Sequence, residues 1–439
     1  MQIGNKHVLE LNLYDKQINK LPHDSREPNT IHEQFEHRWL GRVVIPFSTI
    51  LTLTKIDGII TIKEPLFFTG YKLHKHKGYL KVMITMDPPV PAPIFSAYEN
   101  FLPGETPTLM AECRKFEVRN RQLFLNRRYV ALVNDSNGKR ILASRYLRPI
   151  KPPYQIQEIL TNSNNLIEAI NLTAHILLTI GCGDEEEHAV LLVCWLLHLH
   201  LSAALILGQA LPEGSKAAYV LVQVENNISL LVNPSDGNVY SISDPLCPLI
   251  SIGTIVTQEN IFANIQKVSN PSLMDFDLKN KSNWDPLFTS PRHDLSSIQP
   301  TELTYIAVNE DIIVELRSNL EREIKLKFDE TRQHAIPQWN LMASRALREI
   351  LSEGSAGSGF DFDIEHRLGQ TLNSYKVTVV AFQSPYISRE KLIQEVLKTN
   401  MHINSNKHAQ FALSIHIQPF VNNLISCSVA IASLLPKHL

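Results

Sequence analysis

An apolar run over residues 189–211 is the feature that most constrains the fold, because it is long enough to cross a bilayer. Polar residues interrupt the run, however, among them His198, His200 and Ser202. The acidic residues 184–187 stand directly before it, where their charges suit the positive end of a helix dipole. The pattern therefore predicts a buried helix that ends near His200 and feeds a buried strand, not a membrane span.

Residues 1–90 are predicted to form an all-β unit. Alternating and short apolar runs mark the predicted strands at 7–14, 43–47, 59–62 and 79–86. A proline-rich stretch over 87–93 ends the unit, because proline has no N–H to donate to a neighbouring strand. We therefore place the first domain boundary at residue 90.

Residues 91–154 are predicted to be a linker that holds a basic helix and a β-hairpin. The helix falls within 111–128, and the Asn137-Gly138 pair marks the turn of the hairpin. Lys and Arg total 42 against 44 Asp and Glu, so the net charge of −2 gives no field that would favour nucleic acid. We therefore expect the basic residues of the helix to pack on neighbouring acids as a solvated face, rather than to bind phosphate.

The rest of the chain is predicted to form two mixed units, residues 155–300 and residues 301–439. In the first, helices precede antiparallel strands, which is the pattern of an α+β domain. Its predicted helices are 156–160, 166–180 and 184–199, and its predicted strands are 203–207, 218–225, 228–232 and 239–242. Turns are predicted at Asn226-Asn227 and over 233–237. In the second, an α/β C-terminal extension, the predicted helices are 309–328, 339–351 and 388–399, and the predicted strands are 376–381, 409–416 and 424–432.

The cysteines favour a reducing compartment. Their number is odd and no two form a CxxC pair, the five being Cys113, Cys182, Cys194, Cys247 and Cys427. This usage speaks against a disulfide framework and against a thiolate zinc site. The first residues also lack the apolar stretch of a signal peptide. We expect a cytosolic protein in which Cys194, Cys247 and Cys427 are core residues.

Two histidines of the apolar run raise the question of a metal. His198 and His200 are two residues apart, which in a helix places them on different faces. As the start of a strand they could share a face, but no third ligand is visible nearby. We therefore expect no metal site and no cofactor.

The stretch Gly183-Asp-Glu-Glu-Glu-His-Ala-Val-Leu-Leu192 resembles the transglutaminase-like domain of the coiled-coil and C2 domain-containing protein 2 family of the ciliary transition zone. The likeness is closest to the shorter paralogue of that family. It implies a partial C2-like β-sandwich over 1–90 and a transglutaminase-like (papain-like) α+β domain over 155–300. Further stretches are similar, at 35–41, 45–50, 145–150, 211–214, 218–221, 231–234, 261–266 and 295–300.

An active domain of this fold needs a thiolate, a histidine that takes its proton, and an Asp or Asn that holds the imidazole. The resemblance places Glu185 where the thiol should be, Tyr219 where the histidine should be, and Asn233 at the orienting position. A phenol with a pKa near 10 cannot act as a base at neutral pH, and a carboxylate is a poor acyl acceptor. Losing one member of such a triad costs on the order of 10⁴ to 10⁶ in rate. We therefore expect a domain that lacks its catalytic residues.

Two further hypotheses concern this site. Glu185, Tyr219 and Asn233 could line a pocket that holds a peptide segment of a partner, or they could be buried residues whose polar groups bond to neighbours. The enzymatic alternative is a residual cysteine peptidase or acyltransferase that uses Cys182, because a thiol at a helix start has a lowered pKa. His188 is close to Cys182 in sequence, but the glycine between them leaves no defined pair.

The C2 resemblance raises the question of calcium and lipid. Only Asp15 stands where a calcium-binding loop could begin, which is too few carboxylates for Ca²⁺. The basic stretch 72–77 could touch anionic lipid, so peripheral lipid binding is a third hypothesis for the function. We nevertheless expect this stretch to be a solvated loop. With only about five recognisable strands, a partial sandwich would leave an unpaired edge. We therefore expect either a poorly stable unit or a partner that covers the edge.

The function implied by the resemblance is a non-enzymatic scaffold of the ciliary transition zone, on the cytoplasmic side near the basal body. Such a scaffold would support cilium assembly and the gate for ciliary membrane proteins. The implied partners are transition-zone proteins of the Meckel-syndrome module and tectonic-type proteins, with weak contact to the membrane surface and no nucleic acid.

Overall fold

The computed structural model describes most of the chain. The described residues are 7–20, 33–53, 55–63, 78–87, 102–135, 138–154, 156–157, 170, 173, 184–224, 228–235, 237–293, 295–300, 303, 309–332, 336–354, 364–404, 406, 408–420 and 424–437. Cys182, Gly183, the basic stretch 72–77 and the predicted turn at Asn226-Asn227 lie outside them. The predicted helices 156–160 and 166–180 lie largely outside them as well.

The described elements fall into an N-terminal unit (residues 7–87), a central domain (102–300) and a C-terminal domain (309–437). The helices are α1 (Phe47–Leu53), α2 (Pro107–Leu123), α3 (Glu185–His198), α4 (Glu310–Thr331), α5 (Leu341–Gly354), α6 (Ile364–Thr371) and α7 (Arg389–Lys398). The strands are β1 (Val8–Lys20), β2 (Glu33–Pro46), β3 (Lys55–Thr61), β4 (Tyr79–Thr85), β5 (Leu102–Pro103), β6 (Leu132–Asn134), β7 (Lys139–Leu142), β8 (Ser202–Ala210), β9 (Gly214–Val224), β10 (Ile228–Val232), β11 (Val239–Ser241), β12 (Leu249–Val256), β13 (Ile261–Asn264), β14 (Trp284–Pro286), β15 (Gln338–Trp339), β16 (Tyr375–Pro385), β17 (Gln410–Phe420) and β18 (Leu424–Pro436).

The N-terminal unit consists of two hairpins, β1–β2 and β3–β4, joined by one antiparallel bridge. Across the bridge, the backbone N–H groups of Arg42 and Lys63 donate to each other's carbonyls at 2.9 and 2.8 Å. Both hairpins bury aliphatic side chains in a shared cluster that includes Val43, Ile56 and Val82. The predicted C2-like sandwich over 1–90 is not confirmed, because these described strands pair only locally as two-stranded sheets.

The central domain is built on a seven-stranded antiparallel sheet in the order β11-β10-β9-β8-β12-β13-β14. Alternation along each strand divides its side chains between two faces. In β9, Ala218 and Val220 pack against Leu192 of α3. Their neighbours Ala217 and Tyr219 pack into a second cluster on the opposite face. The sheet is therefore buried on both sides.

Helix α3 is closed at its start by a capping box. The carboxylate of Asp184 accepts from the Glu187 N–H at 2.9 Å, and the Glu187 carboxylate accepts from the Asp184 N–H at 3.1 Å. The helix ends at His198 and strand β8 begins at Ser202, which confirms the predicted break in the apolar run. Within the described ranges, no helix is both long enough and apolar enough to cross a membrane.

Residues 107–150, predicted as part of a linker, pack into the core of the central domain instead. Cys113 and Phe116 on the inner face of α2 share an apolar cluster with Leu192 of α3. The sequence interpretation missed this face because the basic residues of α2 dominate its outer side. Two basic residues do pair with acids as expected, Arg119 with Asp285 and Arg128 with Glu186.

The C-terminal domain carries a four-stranded sheet in the order β15-β17-β18-β16, with helices on both faces. Helices α4 and α7 cover one face through residues such as Phe328 and Val396, and α5 and α6 cover the other through residues such as Leu347 and Leu368. The helices and strands predicted over 309–432 are confirmed, each within a few residues. Helix α6 was not predicted.

The first hairpin of the chain docks on the C-terminal domain. Trp39 meets Phe382 edge to face, with ring centroids 6.5 Å apart. The Tyr14 hydroxyl donates to the carbonyl of Lys398 at 2.9 Å. Lys398 in turn pairs with Glu10 of β1 at 3.0 Å. The N-terminal unit is thereby tied to the helix that packs under the C-terminal sheet.

Candidate functional site

Glu185 lies in the first turn of α3, half-buried, at the position where the resemblance expects a thiol. Burial raises the pKa of Glu185 and Asp184 raises it further, whereas Lys63 of the N-terminal unit lowers it. A carboxyl group whose charged form is disfavoured is a weak nucleophile. The start of this helix therefore presents an acid that holds its proton more tightly than usual.

The next residue, Glu186, forms an ion pair with Arg128. The backbone of Arg128 is fixed by sheet strand β12, since the Thr254 hydroxyl donates to the Arg128 carbonyl at 3.0 Å. A Cβ atom on Gly253 would lie only 2.0 Å from that carbonyl oxygen, so the close approach requires glycine there. The Arg128 guanidinium is thus positioned to hold the first turn of α3 against the sheet.

Tyr219 is fully buried in the middle of β9. It pairs in register with Ile206 of β8, and both side chains belong to the cluster on the face opposite α3. Tyr219 and Glu185 are consequently on different sides of the sheet. The position that the resemblance assigns to a catalytic base does not face the start of α3.

Asn233 is buried in the turn that follows β10. Its side-chain oxygen accepts from the Ser235 N–H at 2.8 Å, and its side-chain nitrogen donates to Glu213 at 3.4 Å. Its carbonyl accepts from the Gly237 N–H at 2.9 Å, and the predicted turn over 233–237 is confirmed. The amide of Asn233 therefore organises this turn and connects it to the turn between β8 and β9.

The structure brings together some of the predicted site residues and separates others. Val232 pairs with Val220, so Asn233 follows β10 at the level of Tyr219. Helix α3, which carries Glu185, packs on the face of the sheet opposite to Tyr219. The role of Glu185, Tyr219 and Asn233 in peptide binding stays a prediction, and the structure buries Tyr219 and Asn233 whereas Glu185 is half-buried.

The described cysteines are structural rather than reactive in character. Burial raises the pKa of Cys113 and Cys427 to about 12 and that of Cys194 to about 11. The Cys194 thiol also donates to the carbonyl of Tyr146 at 3.4 Å. Cys247 is half-buried against the second sheet cluster. The prediction of core residues is confirmed for Cys194 and Cys427, whereas Cys247 packs only in part against the core.

The two histidines considered as metal ligands belong to different local structures. His198 closes the last turn of α3, whereas His200 lies in the following turn with a φ of 60°. Among the residues that the structure describes, no three His, Cys, Asp or Glu side chains form a group that could hold a metal ion.

Residues from other parts of the chain lie near the start of α3 and near Asn233. Lys63, Arg128 and Glu213 contribute charge there, and Thr49 contacts the turn between β8 and β9. Arg128 belongs to the basic stretch that was predicted to pair with acids, and Glu213 lies in the stretch 211–214 that carried part of the resemblance. Lys63 and Thr49 gave no local signal, because the residues near them are far away in the sequence.

Comparison with known proteins gives the class of the central domain. A family model described as the CEP76 peptidase-like domain matches residues 169–287. This range contains α3 and most of the seven-stranded sheet. The central domain is therefore similar to a peptidase-like domain, and its fold is of the α+β class.

Two relatives match almost the whole chain. Protein CC2D2B of Homo sapiens is 28% identical over an alignment of 475 residues, gaps included, and the alignment covers 98% of this chain and 33% of the relative. The coiled-coil and C2 domain-containing protein 2A of Drosophila melanogaster is 24% identical over an alignment of 477 residues, gaps included, and the alignment covers 98% of this chain and 35% of the relative. The chain is a homologue of these coiled-coil and C2 domain-containing proteins, and it spans about a third of their length.

Proposed function

We propose that this chain is a non-enzymatic scaffold of the ciliary transition zone, in which a peptidase-like domain serves as a structural module. It acts on the cytoplasmic side near the basal body and supports cilium assembly and the gate for ciliary membrane proteins. Its partners are transition-zone proteins of the Meckel-syndrome module and tectonic-type proteins. Homology to the two coiled-coil and C2 domain-containing proteins supports this assignment.

The observation that carries the non-enzymatic part is the first turn of α3. Where a peptidase would present a thiolate, this helix presents Glu185, whose pKa is raised by burial. The residue assigned to the base position, Tyr219, faces the other side of the sheet. Nucleophile and base positions that lie on opposite faces cannot exchange a proton directly.

Localisation tests the proposed cellular role. A fluorescently tagged chain, expressed in ciliated cells, is expected at the ciliary base next to a transition-zone marker. The matched control is the tagged variant Phe411→Ala, which disrupts the core of the C-terminal domain and is expected to lose the localisation. A tagged wild-type chain that is folded but spread evenly through the cytoplasm would contradict the role.

Thiol labelling tests the absence of catalysis. We expect Cys182 to react with iodoacetamide at pH 7 no faster than a thiol of ordinary pKa, with the variant Cys182→Ser to identify its signal. Hyper-reactivity of Cys182 at neutral pH, lost on substitution of His188, would support the residual peptidase or acyltransferase instead.

Peptide binding at the former catalytic positions has its own test. On arrays of peptides from transition-zone proteins, Glu185→Gln and Tyr219→Phe nearly keep the side-chain volumes, while the first replaces the carboxyl with an amide and the second removes the hydroxyl. If these positions line a binding surface, each variant is expected to weaken binding, whereas unchanged binding by the double variant would remove the hypothesis.

A further inference from the structure

The turn between β8 and β9, residues 211–214, lies at the same end of the central domain as the start of α3. Helix α3 ends only a few residues before β8 begins, so helix and strand run in opposite directions. The far end of β8 is therefore beside the first turn of the helix. In a peptidase this end of the domain would admit the substrate.

The N-terminal unit covers this turn with polar contacts. Thr49 of α1 is only 1% exposed, and its hydroxyl donates to the carbonyl of Pro212 at 2.8 Å. A Cβ atom on Gly214 would lie 2.7 Å from the Thr49 hydroxyl, and the φ of Gly214 is 79°. Glycine at this position therefore lets α1 approach the backbone closely.

Apolar contacts extend the same interface. Leu211 is buried in the cluster formed by the two N-terminal hairpins, together with Ile50 and Ile56. Gly58 of β3 faces the Leu211 side chain so closely that a Cβ atom there would lie 2.5 Å from it. The turn of the central domain thus completes the core of the N-terminal unit.

Charged residues lie beside these packed residues. Lys63 is held by its two backbone hydrogen bonds to Arg42, and its positive charge lowers the pKa of Glu185. Arg128 forms an ion pair with the neighbouring Glu186 from within the central domain.

We infer that the substrate end of the peptidase-like domain has become the docking surface for the N-terminal unit of the same chain, which packs there on the turn 211–214. This inference rests on the proposed non-enzymatic function, because it gives the end that would admit a substrate a role in holding two units together. A partner peptide reaches this end of the domain only when the N-terminal unit is displaced. Partners that bind the intact chain use other surfaces.

Hydrogen exchange on the full chain tests the docking surface. Thr49→Val keeps the shape of the side chain and removes the hydrogen bond to Pro212, which is expected to raise the exchange rate of the amides in α1 and in residues 211–214 about fivefold. The control Lys81→Met removes an exposed charge from β4 and is expected to leave both segments unchanged. Amides of β17 and β18 serve as the internal control for folding in both variants.

Unchanged exchange of α1 in Thr49→Val would overturn the docking surface itself. A reactive Cys182 in the labelling experiment would instead contradict the proposed function, so the two failures are distinguishable.

Discussion

A glutamate of the central domain and two histidines of the C-terminal domain are buried in part, and burial shifts their pKa values in opposite directions. In the central domain, burial raises the pKa of Glu185. In the C-terminal domain, burial lowers the pKa of His402 and of His416, and Arg317 lowers that of His416 further. Burial favours the neutral form in each case, and the neutral form is the acid for Glu and the base for His. The same physical cause thus gives these side chains opposite responses to acid.

The sign of each pH effect follows from the linkage between proton binding and folding. The folded-state pKa of Glu185 is above its unfolded value, so its stabilising contribution is complete below about pH 4.5 and is lost as the pH rises through the folded pKa. The folded-state pKa of His416 is below its unfolded value, so its contribution is complete above about pH 6.5 and is lost as the pH falls through the folded pKa. Acidification between these limits favours the fold through Glu185 and disfavours it through His416.

The largest expected effect tests whether the two domains unfold separately. Phe411 is fully buried in the C-terminal sheet and packs against Phe328 with ring centroids 5.1 Å apart. Phe411→Ala is expected to lower the free energy of unfolding of that domain by about 3–5 kcal/mol. Hydrogen exchange is expected to rise in β16–β18 and to stay unchanged in β8–β12. The control is Ile336→Ala at a site that is 90% exposed, and equal loss of protection in both sheets would contradict the separation.

An intermediate effect concerns the open edge of the C-terminal sheet, where β15 covers only the first two residues of β17. Beyond them, Glu321 accepts from the Ile415 N–H at 3.2 Å and pairs with Arg348. Glu321→Ala is expected to cost about 1–3 kcal/mol in chemical denaturation, because it leaves a buried N–H and a guanidinium without this acceptor. Glu330→Ala, which removes an exposed pair with Lys327, is the control and is expected to cost under about 0.5 kcal/mol. Similar losses in both variants would show that the edge contact contributes little.

A smaller effect tests the histidine half of the comparison. His416→Gln removes the imidazole that must stay neutral in the fold. The variant is expected to lose less stability than the wild-type chain when the pH falls from 7 to 5, as measured by the unfolding of the C-terminal domain in urea. His408→Gln, at an exposed site, is the control. Parallel pH profiles for His416→Gln and the wild-type chain would contradict the assignment.

The smallest effect tests the glutamate half. Glu185→Gln removes the buried carboxylate, so the variant is expected to gain stability relative to the wild-type chain as the pH rises above about 4.5. The readout is hydrogen exchange of α3 between pH 4 and pH 7, corrected for the intrinsic pH dependence. The control is Glu112→Gln at an exposed site. Glu187→Gln would not serve, because Glu187 belongs to the capping box of α3. A difference that does not change with pH would show that Glu185 is ionised equally in the folded and unfolded states.

The C-terminal domain was predictable from sequence because its helices are amphipathic and its strands are bounded by turn residues. Strand β12 of the central domain was not predicted. Nearly every residue of this strand is buried, so apolar and polar residues do not alternate along it. Gly253 also interrupts the apolar run, because the backbone of Arg128 approaches too closely for a Cβ atom. The periodic pattern that reveals a half-buried strand does not exist in such a segment.

The candidate site was likewise only partly predictable from the sequence. The acidic start of α3 was visible, because capping is a local property of four neighbouring residues. The strand that carries Tyr219 was also visible, but the face on which Tyr219 lies depends on its register with Ile206. The contact of Thr49 with Pro212 joins segments more than a hundred residues apart, and spacing along a single sequence carries no information about it.

The pairing of Glu10 with Lys398 has a consequence for synthesis of the protein. The two residues are 388 positions apart. At ribosomal rates of about 5–20 residues per second, the first hairpin waits roughly 20–80 seconds for the helix on which it docks. During translation, the hairpin therefore lacks this docking contact until α7 has been made, and over that interval its docking side chains are open to a chaperone.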